Sequence, residues 1–147
     1  AVATTIVAAV VEPTKVTIVH AGDCRAYHLR NSKLQQLTED HTIISELIAS
    51  GRIKEKDAAN HPSRNVVTSG LGLEQDFEYE VTEASLQPRD RILFCSDGLS
   101  SVVSHDSVRV LLQHTETPGE AVTALIRNAL VHGTTDNITA VVVELPA

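Results

Sequence analysis

The sequence contains no tryptophan and no methionine, and it has only two phenylalanines and two tyrosines in 147 residues. A chain with so few aromatic rings lacks the stacking surfaces that bind single-stranded nucleic acid. Basic residues are also outnumbered, with 12 Lys and Arg against 19 Asp and Glu and a formal charge of −7. Because this balance repels a polyanion, nucleic acid and anionic membrane surfaces are poor candidate partners.

A membrane-length hydrophobic run is also lacking. The apolar opening AVATTIVAAVV is too short to cross a bilayer and has no positive flank like that of a signal peptide, so we expect no membrane span. The chain enters this strand-like stretch without a polar lead-in. We therefore expect the 147 residues to be the latter part of one longer domain.

Cysteine and histidine show no metal-binding pattern. Cys24 and Cys95 form no CxxC pair, and the seven histidines show no HxH or HExxH spacing. The pattern predicts buried thiols in a reducing compartment, and hence a cytoplasmic protein, although spacing alone leaves a disulfide open. We expect most of the histidines to be ordinary surface or core residues.

Hydrophobic patterning predicts an α+β protein, an antiparallel β-sandwich flanked by helices. Residues 4–11 and 16–21 read as a hairpin around EPTK, and CRAYHL and LQQLT read as two more strands of one meander, buried on both faces. The polar stretch 39–75 predicts two short helices, the first closed by Gly51. FEYEVTE alternates Phe77, Tyr79 and Val81 with acidic residues, which predicts one wet face. The strand ILFC, helices capped by Ser104 and Thr117, and the strand ITAVVVEL follow.

Three aspartates stand where a buried strand meets a loop: Asp23 after IVHAG, Asp97 after ILFCS and Asp136 before NITAVVV. Loops at one edge of a sandwich gather together, and converging carboxylates repel one another unless they are protonated or bridged by a cation. Ligands that are all oxygen favour magnesium, manganese or calcium over zinc, and no EF-hand spacing is present. From the residues alone, a metal site and three unrelated turns are equally open.

Four stretches resemble consecutive motifs of the metal-dependent type 2C (PPM) protein phosphatases in their compact bacterial form. In chain order they are HAGDCRAYHLRNSKLQQLTEDHT, HPSRNVVTSGLG, PRDRILFCSDGLSS and TTDNITAVVVEL. The resemblance covers essentially all 147 residues. It implies two packed antiparallel sheets flanked by helices, with two or three Mn²⁺ or Mg²⁺ ions per complete active site. The implied reaction is hydrolysis of phosphoserine and phosphothreonine in proteins by a metal-activated water, opposing a serine/threonine kinase.

The resemblance also assigns roles by position. Asp97 and Asp136 would be direct metal ligands, and Asp23 would join Asp97 in holding a third, weaker ion. Residues 40–72 would form a flap beside the active site, with Arg64 and His41 as its candidate substrate contacts. The competing interpretations are a surface ion pair for Arg64, as for Arg25, and a structural role for His41.

The departures from the family pattern concern its opening motifs. A phosphate-gripping Arg and a DG motif, whose Asp bridges two metals, find no counterpart in these residues. Ala3 stands where the family usually has Gly before Thr-Thr, and Cys24 where it usually has Ser. We therefore expect residues 1–147 to be the C-terminal part of a single phosphatase domain, inactive by itself. The alternative is a degenerate pseudophosphatase that binds phosphoproteins or another partner without turnover.

Overall fold

The computed structural model describes residues 2–73 and 78–147, which form two antiparallel sheets and the helices packed on them. One sheet has the strand order β1-β2-β5, and the other has the order β4-β3-β6-β7. In chain order the strands are β1 (Ile6–Val11), β2 (Lys15–Ala21), β3 (Arg25–Arg30), β4 (Lys33–Gln36), β5 (Glu80–Ser85), β6 (Arg91–Cys95) and β7 (Ala140–Glu144).

The helices lie where local end signals predict them. They are α1 (Ile43–Ala49), a 3-10 helix (Glu55–Asn60), α2 (Asp97–Ser100), α3 (His105–His114) and α4 (Pro118–Val131). Gly51 follows α1 with a φ of +70°, as expected for a C-terminal cap. Ser104 caps α3, and Thr117 forms a capping box with Glu120 at the start of α4. The short helix α2 was not predicted. Within the described residues, no helix has the length and apolar character needed to span a membrane.

The predicted meander is wrong, although both of its hairpins are present. β1 pairs with β2 around the EPTK turn and β3 pairs with β4, but the two hairpins belong to different sheets. The chain crosses between the sheets at Gly22, whose φ is +109° and whose missing side chain leaves room for Thr5. A Cβ on Gly22 would lie 2.3 Å from Thr5 Cγ2. This crossing places Asp23 at the edge of the sandwich.

The two central strands of the four-stranded sheet, β3 and β6, are buried on both faces, as predicted for β3. One face packs against α3 and α4, and the other packs against β2. Alternation along β6 divides its side chains between the two layers: Leu93 and Cys95 face the helices, and Ile92 faces the other sheet. The guanidinium of Arg91 donates to Leu112 O (2.6 Å) and Thr115 O (2.8 Å), which ties the turn between α3 and α4 to β6.

The three-stranded sheet has one exposed face, whereas β1 was predicted to be buried on both faces. Val10 of β1 is 64% exposed, so burial of this strand on both faces is wrong. Tyr79 and Val81 are also exposed, whereas Thr82 points inward because it pairs with the fully buried Ile18. The register with β2 therefore decides which face of β5 is wet. Phe77, the remaining member of the predicted alternation, lies outside the described residues.

Candidate metal centre

The corner after β6 and the loop before β7 are stitched together by short contacts. Ser96 N–H donates to Thr139 O (3.0 Å), and Thr139 N–H donates to Ser96 Oγ (3.0 Å). Gly98 packs against the opposing loop so closely that a Cβ there would lie 2.2 Å from Asn137 O. The glycine is thus required by the approach of two backbones. These contacts hold the aspartates of the two segments near each other.

The predicted ligands influence one another through their charges. Asp97 begins α2 and is partly buried, and Asp136 is exposed on the opposing loop. Burial, and then the negative charge of Asp136, raise the pKa of the Asp97 carboxyl. Burial, and then the negative charge of Asp97, raise the pKa of the Asp23 carboxyl at the crossing between the sheets. The ionised carboxylates are therefore destabilised here, and either protons or cations relieve the repulsion.

A cleft of about 590 Å³ opens beside these carboxylates. It is lined by Asp23 and Asp97, by apolar residues of α1 such as Ile44, and by residues of the 3-10 helix and the segment after it, including Arg64. Arg64 is exposed, and the structure records no ion pair for it among the described residues. The cleft thus joins an acidic end, which suits a cation, to an exposed guanidinium, which suits a ligand carrying negative charge.

A second arginine of the cleft is held by an ion pair. Arg25 donates from Nε to Asp40 Oδ1 (2.8 Å) and from Nη2 to Asp40 Oδ2 (2.6 Å), and its Nη1 donates to Tyr27 Oη (3.1 Å). Bidentate pairing fixes the planar guanidinium in one orientation. The ion-pair interpretation of Arg25 is therefore confirmed, with the pair partly buried. It links β3 to the start of residues 40–72. No local sequence signal predicts this partnership across 15 positions.

The three aspartates do not converge on one point. Within residues 2–73 and 78–147, they form no trio whose ligand atoms all lie within 4.8 Å of one another. Asp136 lies outside the lining of the cleft, as does His41, whose ring stacks on His20 instead. That His41 contacts a substrate stays a prediction. A different trio, His20, His41 and Glu80, brings its ligand atoms within 4.8 Å of one another, and the sequence analysis did not predict this cluster.

The donor set fits a hard divalent cation. Asp23, Asp97 and Asp136 offer only carboxylate oxygens, and burial, followed by the charge of a neighbouring carboxylate, raises the pKa values of Asp23 and Asp97. Oxygen ligands of this kind suit Mg²⁺ and Mn²⁺, which keep several waters in their coordination shells. A few separated carboxylates are therefore enough to hold such ions, provided that water supplies the remaining ligands.

Sequence comparison places this chain among phosphatases. The family model of Stage II sporulation protein E (SpoIIE) matches residues 47–146. The chain is 39% identical over 141 residues to "Serine/threonine phosphatase stp" of Listeria monocytogenes, covering 96% of this chain and 56% of that protein. It is 37% identical over 142 residues to "Serine/threonine protein phosphatase PstP" of Mycobacterium tuberculosis, covering 97% and 27% respectively. The chain thus spans about half the length of the first relative and less of the second.

Solved structures agree with this placement and confirm the predicted sandwich. The crystal structure of the Mycobacterium tuberculosis serine/threonine phosphatase PstP/Ppp matches with a TM-score of 0.91 and 36% identity, over 99% of this chain and 61% of that one. The catalytic domain of PstP in complex with two manganese ions matches with a TM-score of 0.83 and 34% identity, over 99% and 60%. The chain therefore belongs to the type 2C, or PPM, family of serine/threonine phosphatases.

Proposed function

We propose that these residues form part of a metal-dependent phosphatase that hydrolyses phosphoserine and phosphothreonine in proteins, opposing a serine/threonine kinase. The observation that carries the proposal is the cleft lined by Asp23 and Asp97, with Asp136 outside the lining but near enough to Asp97 for its charge to raise the pKa of that carboxyl. The names of the relatives support the reaction, and the manganese complex of PstP supports the class of ion. A cytoplasmic location is supported by Cys24 and Cys95, which are both free thiols.

In this proposal, Asp97 and Asp136 hold two Mn²⁺ or Mg²⁺ ions, and Asp23 joins Asp97 in holding a third. Bound there, the ions would supply an activated water and neutralise charge on the phosphoryl oxygens. The protein's own part is to position these carboxylates, through the Ser96–Thr139 hydrogen bonds on one side and the crossing between the sheets on the other. No covalent intermediate with the enzyme is needed.

Residues 40–72 are proposed as a flap that selects substrates without taking part in the chemistry. The segment contributes α1, the 3-10 helix and Arg64 to the cleft. Among the seven residues of α1, only Ile44 is buried. A segment that buries little apolar area opens at lower free energy than the core strands. Arg64 is placed to meet the phosphate or an acidic side chain of a phosphoprotein, whereas Arg25 is occupied by Asp40.

The direct test replaces each predicted ligand in the intact protein. With manganese and p-nitrophenyl phosphate, Asp97→Asn and Asp136→Asn should each lower kcat/KM by at least about 1,000-fold, since each removes several kcal/mol of transition-state stabilisation. The matched control is Asp106→Asn, an exposed aspartate of α3 paired with Arg109, which should retain full activity. Turnover that persists in EDTA, or in both ligand variants, would contradict the metal mechanism.

The pseudophosphatase alternative is separated by binding measurements on the same protein. A phosphopeptide bound without any turnover, in the presence of manganese, would favour it. Residues 1–147 alone should show no manganese-dependent turnover, because they contain no counterpart of the family's bridging Asp and phosphate-gripping Arg. Purified residues 1–147 that hydrolyse p-nitrophenyl phosphate would show that the catalytic centre has been misplaced.

A further inference from the structure

Three side chains from separate elements meet beside the cleft without lining it. They are His20 of β2, His41 before α1, and Glu80 of β5, and one ligand atom of each lies within 4.8 Å of the other two. Glu80 Oε2 is 4.0 Å from His20 Nε2 and 3.7 Å from His41 Nε2. The two imidazoles stack with ring centroids 4.6 Å apart. Both Nε2 atoms therefore approach one carboxylate oxygen.

His20 is fully buried, yet its hydrogen bonding is incomplete. Its Nε2 lies 2.7 Å from Glu39 O, but its buried Nδ1 has no hydrogen-bond partner in the described part of the chain. Buried polar atoms are nearly always paired with protein, water or an ion, so an orphaned imidazole nitrogen calls for a reason. No donor faces Nδ1. It can therefore accept the ring proton, which frees the lone pair of Nε2 for another partner.

We propose that His20, His41 and Glu80 form a transition-metal site of the zinc class, separate from the aspartates of the cleft. Two imidazoles and a carboxylate are the ligand set of three-ligand zinc sites that keep a fourth position open. Imidazole nitrogen favours zinc and its neighbours in the periodic table over magnesium. Zinc bonds of about 2.0–2.1 Å place tetrahedral ligand atoms about 3.4 Å apart. The distances to Glu80 Oε2 are therefore already close to those of a metal shell.

Binding requires small rearrangements around both rings. The Nε2 proton of His20 moves to Nδ1, and the ion displaces Glu39 O from its 2.7 Å contact with Nε2. The ring proton of His41 likewise moves from Nε2 to Nδ1, so that Nε2 can bind the ion. Nδ1 then gives up the hydrogen bond that it accepts from Gly22 N–H, which at 3.3 Å is long and weak. Glu80 is about half exposed, with 47% of its side chain accessible, so its carboxylate is free to move inward.

A route from solvent leads to two of the three residues. A cavity of about 260 Å³ has both His41 and Glu80 in its wall. The acidic residues that line it are Glu39, Asp40, Glu46, Glu78 and Glu80. A cavity walled by one sign of charge raises the local concentration of cations. The site thus has an entrance that favours a divalent ion. It shares no ligand with the proposed catalytic centre and does not depend on phosphatase activity.

The test is zinc titration of the intact, metal-free protein carrying Asp97→Asn and Asp136→Asn, so that the cleft does not compete. Calorimetry should show one Zn²⁺ per chain, retained in excess Mg²⁺. Adding His41→Asn should weaken zinc binding by at least about 100-fold, since loss of a direct ligand exceeds the 10–100-fold loss typical of outer-shell partners. Glu80→Gln should weaken it by at least about 10-fold. The matched control is Glu83→Gln on the same strand, which should leave the zinc affinity unchanged.

A second measurement covers the case in which a variant folds poorly. In the protein with both cleft substitutions and native His41, zinc should shift the Gly22 amide resonance, because His41 Nδ1 releases that N–H. The amide of Gly119, which has no atom near its Cβ position and lies on α4, should not shift. Absence of zinc binding, or zinc binding insensitive to both His41→Asn and Glu80→Gln, overturns the proposal.

Discussion

Substitution of Gly98 tests whether the approach of two loops sets the affinity of the cleft for cations. An alanine Cβ would lie 2.2 Å from Asn137 O and 3.0 Å from Asn137 C. Both atoms belong to the backbone, so no side-chain rotation relieves the clash. The φ of Gly98 is not in the left-handed region, so the new residue adds no backbone strain of its own. The expected effect of Gly98→Ala is therefore displacement of the loop before β7.

The size of that displacement follows from the contact. An ordinary van der Waals contact begins at 3.4 Å, so Asn137 O has to move by about 1 Å. Overpacking of this kind costs about 1–3 kcal/mol of folding free energy. Asp136 is adjacent in the chain and moves with the loop. Misplacement of a catalytic group by about 1 Å lowers activity by about 100-fold.

Three measurements on the intact protein check this reasoning: urea denaturation for stability, calorimetry for Mn²⁺ affinity, and turnover of p-nitrophenyl phosphate. The control is Gly119→Ala in the first turn of α4, where no atom lies within 4 Å of the added Cβ. It should leave activity unchanged and raise stability by up to about 1 kcal/mol, because alanine favours helix. If Gly98→Ala binds manganese and turns over substrate like the unmodified protein, the argument from loop spacing is wrong.

Other expectations concern the core and the flap. Asp90→Ala should lower the free energy of unfolding by about 3 kcal/mol, measured by urea denaturation, because the guanidinium of Arg30 loses the carboxylate with which it pairs. Burial opposes ionisation of the Asp90 carboxyl, but hydrogen bonds from Arg30, the Gln87 N–H and His28 outweigh burial and lower the pKa of Asp90. This stabilisation is therefore complete above a pH of about 4 and is lost as the pH falls through the lowered pKa. Arg64→Ala should reduce activity on phosphopeptides far more than on p-nitrophenyl phosphate, and a parallel loss would contradict the flap. Amide hydrogens of residues 43–60 should exchange faster than those of Arg91–Cys95, and equal protection would count against an opening segment.

Elements with local signals were predictable from the sequence. The EPTK turn gave the β1–β2 hairpin, and Thr117 with Glu120 gave the start of α4, because each signal lies within a few residues of the structure it specifies. The crossing at Gly22 and the wet face of β5 were not predictable. Both depend on which distant strand is the partner, and a period of two does not say which face is buried.

The candidate site likewise contains residues that the sequence predicts and contacts that it does not. Asp97 and Asp136 were predicted as ligands because each stands where a strand meets a loop, within a motif that resembles a family, and that assignment stays a prediction. The Arg25–Asp40 ion pair joins residues 15 positions apart, and the cluster around His20 depends on the β2–β5 ladder, in which His20 pairs with Glu80. Nothing in the spacing of the seven histidines distinguishes the two that stack. Their partnership is visible only in three dimensions.

The central position of β6 in its sheet has a kinetic consequence. The two hairpins close over a few residues, but Ile92 pairs with His28 on one side and Val143 on the other, each more than about 50 positions away. Ladders between such distant segments form late and slow the folding of a domain. Asp97 follows β6, and Asp136 precedes β7. We therefore expect the edge that carries Asp97 and Asp136 to assemble late, and the proposed affinity for manganese to return only after the strands have paired.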